Sequence, residues 1–574
     1  MMARAPRPWP LLALAALFGA CSFAIDAAPL VVNRCSTAEE CAGASCDAAR
    51  GMCVAPTGTA TLRVALEIAV PSAAGTRAWV SDLAPFDVSG PRALDLVSCE
   101  ESAPPCLPQP VVVRGTVRRA DGRPVEADVS FVPASAIPGR AGAPITVSAR
   151  EGFVAEADYV AELVGGAQYD VLVRPRGADA ETLPPLALPP IVAPERGTLV
   201  ASFTYPLMLE SFAGVLLDAT LHALPGVTVQ AVDPERGGVP VSTLAVTAGP
   251  DAPEGEGAFT LRLSPGVDRY VLRVGGAAVP GELPSPVYDV DPTYLVADAG
   301  GRAQVLVPER RVVRYRGSVN VEGDALAVVA GATVELRAPA LVDARTGAVG
   351  SFRARPVLTD ASGRFEALLV PGDYEVVIRP PATEEAADLG VQATRVTLSD
   401  AAGELLEGQV FELPPRFTWG GTVAAPDGRH VPGTSVLASA RGAYTSGGAD
   451  LAMLFNRSGA TTSDDTGAFT LPLDRGLYDV AVKPPAGSGF PWAIVRDVEI
   501  GATSGNFVRE VVLEAPLTLA GVLRGVGDVP VEGAELRAFA LVEDAGAPPR
   551  VVEVARASTD ADGRYLLLLP ASVP

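Results

Sequence analysis

The sequence predicts an all-β chain built as a tandem row of antiparallel β-sandwich modules. Three observations carry that expectation. A glycine opens an apolar strand five times, at Gly115, Gly214, Gly317, Gly421 and Gly521, with spacings of 99, 103, 104 and 100 residues. A tyrosine that begins an alternating strand follows 54 to 57 residues later, at Tyr169, Tyr270, Tyr374 and Tyr478. Two landmarks repeating in phase mean a string of similar units, and a period near 100 fits an autonomous domain better than a solenoid repeat. Third, the 574 residues hold 58 Gly and 53 Pro with 48% hydrophobic residues, a composition for many short strands and turns with cores between them, not for disorder.

Taken in order, the N-terminus reads as an export signal. Arg4 and Arg7 give a positive region, Leu11 to Phe18 a short apolar core, and Gly19-Ala20-Cys21 follows. Small residues just before a cysteine resemble the bacterial lipoprotein signal, with Phe18 where that family usually has Leu. The resemblance implies that Cys21 carries lipid, and Ser22 in place of Asp favours the outer membrane. An ordinary secretory signal cut near Ala27-Ala28 is the competing reading. Six further cysteines remain, an even number suited to an oxidising compartment. Cys35, Cys41, Cys46 and Cys53 fall within 19 residues and are expected to form a two-disulfide knot of open connectivity, as in small modules after the lipid site of some surface lipoproteins. Zinc competes weakly there, because no C-x2-C pair or histidine accompanies the thiols. Cys99 and Cys106 flank Pro104-Pro105 and are expected to pair locally.

Each repeat then follows one grammar. After the opening strand a turn such as Asp121-Gly122 leads to a second strand, as in Ala127 to Phe131, Ala332 to Leu336 and Ala534 to Leu536. A sharper motif comes next: Thr359-Asp360-Ala361-Ser362-Gly363-Arg364-Phe365, Ser463-Asp464-Asp465-Thr466-Gly467-Ala468-Phe469, and Thr559-Asp560-Ala561-Asp562-Gly563-Arg564-Tyr565. Repeat two keeps Glu256-Gly257-Ala258-Phe259, and repeat one Glu151-Gly152-Phe153. The physical reading is a hairpin turn in which Asp accepts backbone N–H bonds, Gly takes the left-handed conformation and the aromatic enters the core. Pro380-Pro381 and Pro484-Pro485 end the tyrosine strands, since proline cannot donate to a ladder.

That succession of motifs resembles the carboxypeptidase regulatory-like domain over roughly residues 110 to 574, and the resemblance implies transthyretin-like sandwiches. The expected organisation is a signal peptide at 1–20, a lipidated disulfide-rich segment at 21–56, a partial module at 57–109, four modules at 110–206, 207–310, 311–415 and 416–514, and a partial fifth at 515–574. Residues 62–98 read as the second half of a module, with Pro71 to Val88 parallel to Pro484 to Ile500, while the fifth repeat stops before any tyrosine strand. One reading is a truncated chain; another, an N-terminal half that pairs with the C-terminal half and closes or swaps the array, is disfavoured because most half-domains dock on their neighbour to cover an open edge. Short Pro-rich joints such as Pro308 to Arg311 and Leu413 to Arg416 predict a semi-rigid row, a rod on the order of 150 Å if the modules stack end to end.

Chemistry is sparse. The net charge of −22 argues against nucleic acid, and Lys483 is the only lysine. His222 and His430 lie in different repeats, and no nucleophile elbow, phosphate loop or dinucleotide fingerprint is present. The regulatory-like fold accompanies a zinc catalytic domain in metallocarboxypeptidases, and that domain is absent here. Calcium at Asp360, Asp464 with Asp465, or Asp560 with Asp562 would need more oxygen ligands than these runs offer. Trp419 and Trp492 are expected in cores, and Tyr444, in the loop Gly442 to Asp450, is the aromatic left open for stacking on a sugar. Neither a catalytic group nor a cofactor nor a metal is expected. The function expected is non-catalytic adhesion, display or scaffolding by a lipid-anchored outer-membrane protein, on its periplasmic or surface face, with a glycan or an envelope protein as ligand. A glycan-binding accessory role in polysaccharide uptake is the alternative, and a hydrolase the remote one.

Overall fold

The computed structural model describes residues 34–58, 60–71, 79–99, 106–138, 140, 142–152, 157–218, 220–276, 287–298, 300–307, 312–342, 349–399, 405–443, 456–501, 507–542 and 550–573. The signal segment, Cys21, Phe153, Tyr444 and the joint at 308–311 lie outside these residues. The described chain is all-β. Its helical turns are short 3-10 segments such as Ala38–Cys41 and Gly177–Glu181, and none of its helices is long and apolar enough to cross a membrane.

The fourth module shows the pattern. One sheet holds Ala468–Leu473, Phe417–Ala424 and Phe507–Val512; the other holds Gly459–Thr462, Ser435–Ala443, Gly476–Lys483 and Ala493–Ile500. Period-2 alternation decides which side chains enter the space between them: Phe469, Leu471 and Leu473 from one sheet meet Tyr478, Val480 and Val482 from the other. The pairing is antiparallel except at one place. The first and last strands of the module run parallel, Trp419 to Ala424 beside Phe507 to Val512. The same parallel pair recurs as Thr198–Val200 on Pro110–Gly115, Ala303–Val307 on Ser211–Asp218 and Leu405–Leu413 on Val313–Val321.

The two partial modules at the ends are one module. Leu62–Val70 pairs antiparallel with Glu535–Val542, occupying the place that the tyrosine strand Gly476–Lys483 has beside Ser435–Ala443. Trp79–Val88 then takes the place of Ala493–Ile500, and Arg92–Ala93 lies parallel to Leu517–Val522 as the last strand. Residues 57–109 and 515–574 are therefore complementary halves and not two separate partial modules. The reason is burial: Val64, Leu66 and Ile68 are fully enclosed with Leu519, Leu536 and Leu567 in one core, and the N-terminal half brings only Arg92–Ala93 to the second sheet, so the strands Leu517–Val522 and Arg564–Leu569 of the C-terminal half cover them.

Contacts between modules run in a cycle. Arg262 Nη1 of the second module donates to Thr182 O of the first (3.2 Å). Edge strand Val287–Val290 of the second pairs with Val349–Arg353 of the third, merging two sheets into one of ten strands. Arg475 of the fourth bonds Glu322 of the third (3.0 Å). Arg550 of the closing module bonds Asp479 of the fourth (2.9 Å), and Arg140 of the first reaches Glu67 of the closing module (2.7 Å). The row expected to run end to end thus returns on itself, because its last element finds its missing strands in its first.

Candidate functional site

The repeated motifs meet within each module. In every module the opening glycine stands opposite an aromatic: Gly115 with Tyr159, Gly214 with Phe259, Gly317 with Phe365, Gly421 with Phe469 and Gly521 with Tyr565. A Cβ on Gly317 would sit 2.8 Å from the Phe365 ring and 2.9 Å from Gln409 O of the parallel last strand. On Gly115 it would overlap the Ala201 carbonyl, and on Gly521 the Leu94 carbonyl. The glycine is there for close approach of ring and backbone. The first module departs from the sequence reading: its aromatic is Tyr159, six residues beyond Phe153, and buried Asp158 beside it accepts from Val117 N (3.1 Å) and Arg118 (3.1 Å). Tyr159 and Tyr565 hydroxyls donate to the Ala201 and Leu94 carbonyls of the last strands, and burial pushes both phenols well above their ordinary range.

The Asp-x-x-Gly turns are closed on themselves. Asp360 Oδ1 accepts from Ser362 N (2.8 Å) and Arg364 N (2.9 Å); Asp464 Oδ1 from Thr466 N (2.8 Å) and Ala468 N (3.0 Å); Asp560 Oδ1 from Asp562 N (3.0 Å) and Arg564 N (2.7 Å). The bond from Arg364 N, then that from Ser362 N, holds the Asp360 carboxyl below its usual range, and the Thr466 hydroxyl does the same for Asp464. Gly363, Gly467 and Gly563 have φ of 71°, 73° and 73°. These are Asx turns, with Oδ1 of each Asp taken up by two backbone N–H groups. The hydroxyl before each Asp carries a role that sequence reasoning missed. Thr359 Oγ1 donates to Val329 O (2.7 Å) and accepts from Ala332 N (2.9 Å); Thr559 does the same with Val531 O (2.6 Å) and Ala534 N (2.9 Å), and Ser463 with Val431 O (3.0 Å) and Thr434 N (2.9 Å). Recurrence of Thr or Ser one place before Asp was the available signal.

The tyrosine strands use their anchor similarly. Tyr169 Oη accepts from Val164 N (2.7 Å), and Tyr374 Oη donates to Val370 O (2.7 Å), each tying the strand to the turn it has just left. Trp419 is buried at 2% exposure in the fourth core, while Trp492 is half-buried under the Lys483 ammonium, 3.8 Å from its ring centroid. His222 and His430 are exposed in separate modules, His222 Nδ1 lying 2.8 Å from Thr220 Oγ1. The structure brings neither histidine to the other.

Cysteine pairing is Cys35 with Cys46, Cys41 with Cys53, and Cys99 with Cys106. The sulfurs of Cys35, Cys41 and Cys46 cluster within 4.8 Å, but as disulfides they are not the thiolates a zinc ion needs. The knot docks on the closing module through Ala55 N to Pro516 O (2.9 Å). Between the knot, the closing module and the fourth module lies an open cleft of about 500 Å³, with Arg34, Glu40, Asp427, Arg429 and Glu514 at its wall. Two of its carboxylates serve their own loops: Glu40 accepts from Ser36 N (2.6 Å) and Asp427 from Arg429 N (3.1 Å).

A charged assembly lies at the closing seam. Arg537 bridges Glu67 (2.9 Å), from the N-terminal half, and Glu553, from the C-terminal half. Arg140 of the first module stacks 4.3 Å above the Phe539 ring and Arg537 lies 5.2 Å from it. Burial raises Glu553, but hydrogen bonds from Arg537 and Arg556 outweigh it and leave the carboxyl below its usual range. This seam joins groups far apart in sequence, and what it does is hold the array shut.

No protein-family model and no curated protein matches the chain. Among solved structures it is similar to a streptococcal ancillary pilin (12% identity, TM-score 0.22, 53% of this chain and 99% of that one). It is also similar to the Bacillus anthracis TIE protein (11%, TM-score 0.16, 68% and 69%) and to BcpA, the major pilin subunit of Bacillus cereus (9%, TM-score 0.15, 54% and 100%). Likenesses at these scores extend to no activity, ligand or partner.

Proposed function

We propose that the protein is a non-catalytic, lipid-anchored component of a bacterial cell envelope that serves as a closed scaffold or display platform. The observation that supports this most is how the polar groups are used. The recurrent Asp, Thr and Tyr side chains are bonded to backbone within their own modules, Arg457 and Arg550 bond across module joints to the Leu389 carbonyl and to Asp479, and Arg537 joins the two halves of the closing module through Glu67. A catalytic group needs a partner-free face toward substrate; these groups face their own chain. The anchor rests on Arg4, Arg7, the apolar run Leu11 to Phe18 and Cys21, with the outer membrane as the partner. A glycan or an envelope protein is the ligand class, taken on the loops at module ends.

Protease treatment of intact cells, with Cys21→Ala beside the wild type, tests the reading. The wild type should stay with the membrane fraction and the variant should be released. Retention of the variant in the membrane would overturn the lipid anchor. Cleavage on intact cells places the platform at the surface; protection until the outer membrane is broken places it in the periplasm.

A further inference from the structure

We propose that the split module is an exchangeable coupler: the N-terminal half of one chain can complete the C-terminal half of a second copy, joining chains head to tail. The inference stands on strand pairing alone and does not depend on the lipid anchor.

The two halves are 57–109 and 515–574, connected only through four intervening modules. What unites them is non-covalent: the ladder of Leu62–Val70 on Glu535–Val542, the parallel contact of Arg92–Ala93 with Leu517–Val522, and the common core. Nothing in those contacts requires both halves to belong to one chain. The neighbouring joints travel with their own half. Arg140, which pairs with Glu67, follows the N-terminal half in sequence, and Asp479, which pairs with Arg550, precedes the C-terminal half. The Arg140 stack on Phe539 and the packing of Ile494 into the closing core also lie at this one junction. Among the described residues, the hydrogen bonds and ion pairs between modules join neighbours in the cycle. A chain opened at the seam and closed with a second copy keeps the contacts of the closing module, and one joint elsewhere in the row must open as the hinge, because a cycle with every joint unchanged returns to its own start. Such equivalence is the basis of strand and domain exchange, which gives rings when the geometry closes and open chains when it does not.

The occupant is a second copy because of what each half exposes when apart. Seven of the nine residues in Leu62–Val70 are buried, on both faces of the strand. An uncovered half would present that strand and the matching edge of Glu535–Val542, and such edges pair with whatever complementary strand is near. In this sequence the complement of one half is the other half. The choice between cis and trans is set by the effective concentration across four modules against the concentration of neighbouring chains, which dense display on a surface raises.

Full-length chains carrying Ala69→Cys and full-length chains carrying Glu535→Cys test this, because residues 69 and 535 face each other across the seam and are both half-buried. The two variants are mixed, unfolded, refolded together over a range of concentrations, and oxidised mildly; mass is read by light scattering, and linkage on non-reducing gels. The expected result is species of two or more chains whose share rises with concentration, with a covalent dimer of one variant with the other. A single-chain mass at every concentration would overturn the proposal. So would larger species in which the mixed variants stay unlinked, since they would be held by some other surface.

Discussion

At the scale of single residues, the motif that repeats is a set of mutual fits. Gly317 has no side chain because the Phe365 ring and the Gln409 carbonyl fill that space. We predict that Gly317→Val and Gly521→Val each destabilise their modules by about 2 kcal/mol or more, the scale of overpacking a close contact. Gly249→Ala, where a Cβ meets nothing within 4 Å, should change little. Denaturant titration of the full chain, followed by fluorescence and by limited proteolysis of the affected module, checks both. Thr559→Val removes a hydroxyl that both donates to Val531 O and accepts from Ala534 N, and should cost about 1–3 kcal/mol in the same assay. If Asp360, Asp464 and Asp560 are Asx-turn residues, calcium or a chelator should leave the melting temperature unmoved. A rise of several degrees with calcium would refute that role. Glycine, aromatic and Asp-Gly turn were all legible in the sequence as landmarks. Their contact was not, because Gly115 and Tyr159 are brought together by strand pairing across 44 residues, and no local pattern reports a register. The same limit explains the first module: Phe153 sits at the motif's position in sequence, yet the ladder selects Tyr159.

At the scale of elements, the joints are where charge is buried. Asp474 is fully enclosed, bonded by Arg457 through its backbone N (2.9 Å) and its guanidinium (2.6 Å), with Arg416 Nε 3.6 Å away. Burial, with Arg457 alongside, pushes the Arg416 guanidinium down from its ordinary value. Arg457 also reaches the Leu389 carbonyl of the third module, so the network holds the third and fourth modules together. Asp474→Ala leaves two guanidinium groups without their carboxylate and should destabilise the fourth module by roughly 3 kcal/mol, the lower end for breaking a buried pair from one side. Hydrogen exchange should show new opening in both 386–391 and 456–460. Protection unchanged in the third module would contradict the coupling. The sequence showed this joint as short and proline-rich, which conveyed stiffness; it could not show that Asp474, in the middle of a turn, was the group doing the holding. Another joint was invisible for a different reason. The pairing of Val287–Val290 with Val349–Arg353 joins two edge strands, and an edge strand's alternation looks the same whether its outer rim is paired or free.

At the scale of the whole molecule, the central feature is closure. The sequence reads as two halves at the ends and favours docking of each on its neighbour over their pairing, because complementarity of shape between segments more than 400 residues apart leaves no periodic trace; in the structure Leu62–Val70 pairs with Glu535–Val542. All six described cysteines lie between Cys35 and Cys106, within or beside the N-terminal half. Reduction should therefore loosen the closing module, by about 2–4 kcal/mol on the usual scale of a disulfide in a small unit, before it affects the first four. Acid should act at the same place. Glu553 is held below its ordinary value of 4.5, so it contributes stability that is present above about pH 4.5 and is lost as pH falls through its lowered folded value. Proteolysis of the closing module should accordingly accelerate below pH 4.5 in the wild type, and Glu553→Gln should flatten that dependence.

The measurement that tests closure most directly is a cross-link within one chain. Ala69→Cys and Glu535→Cys together, in dilute solution under mild oxidation, should give a single-chain species that runs faster on a non-reducing gel, its two new thiols consumed. A chain in which both thiols remain open to alkylation, with the mobility of the reduced form, would contradict the pairing of Leu62–Val70 with Glu535–Val542 and with it the closed array.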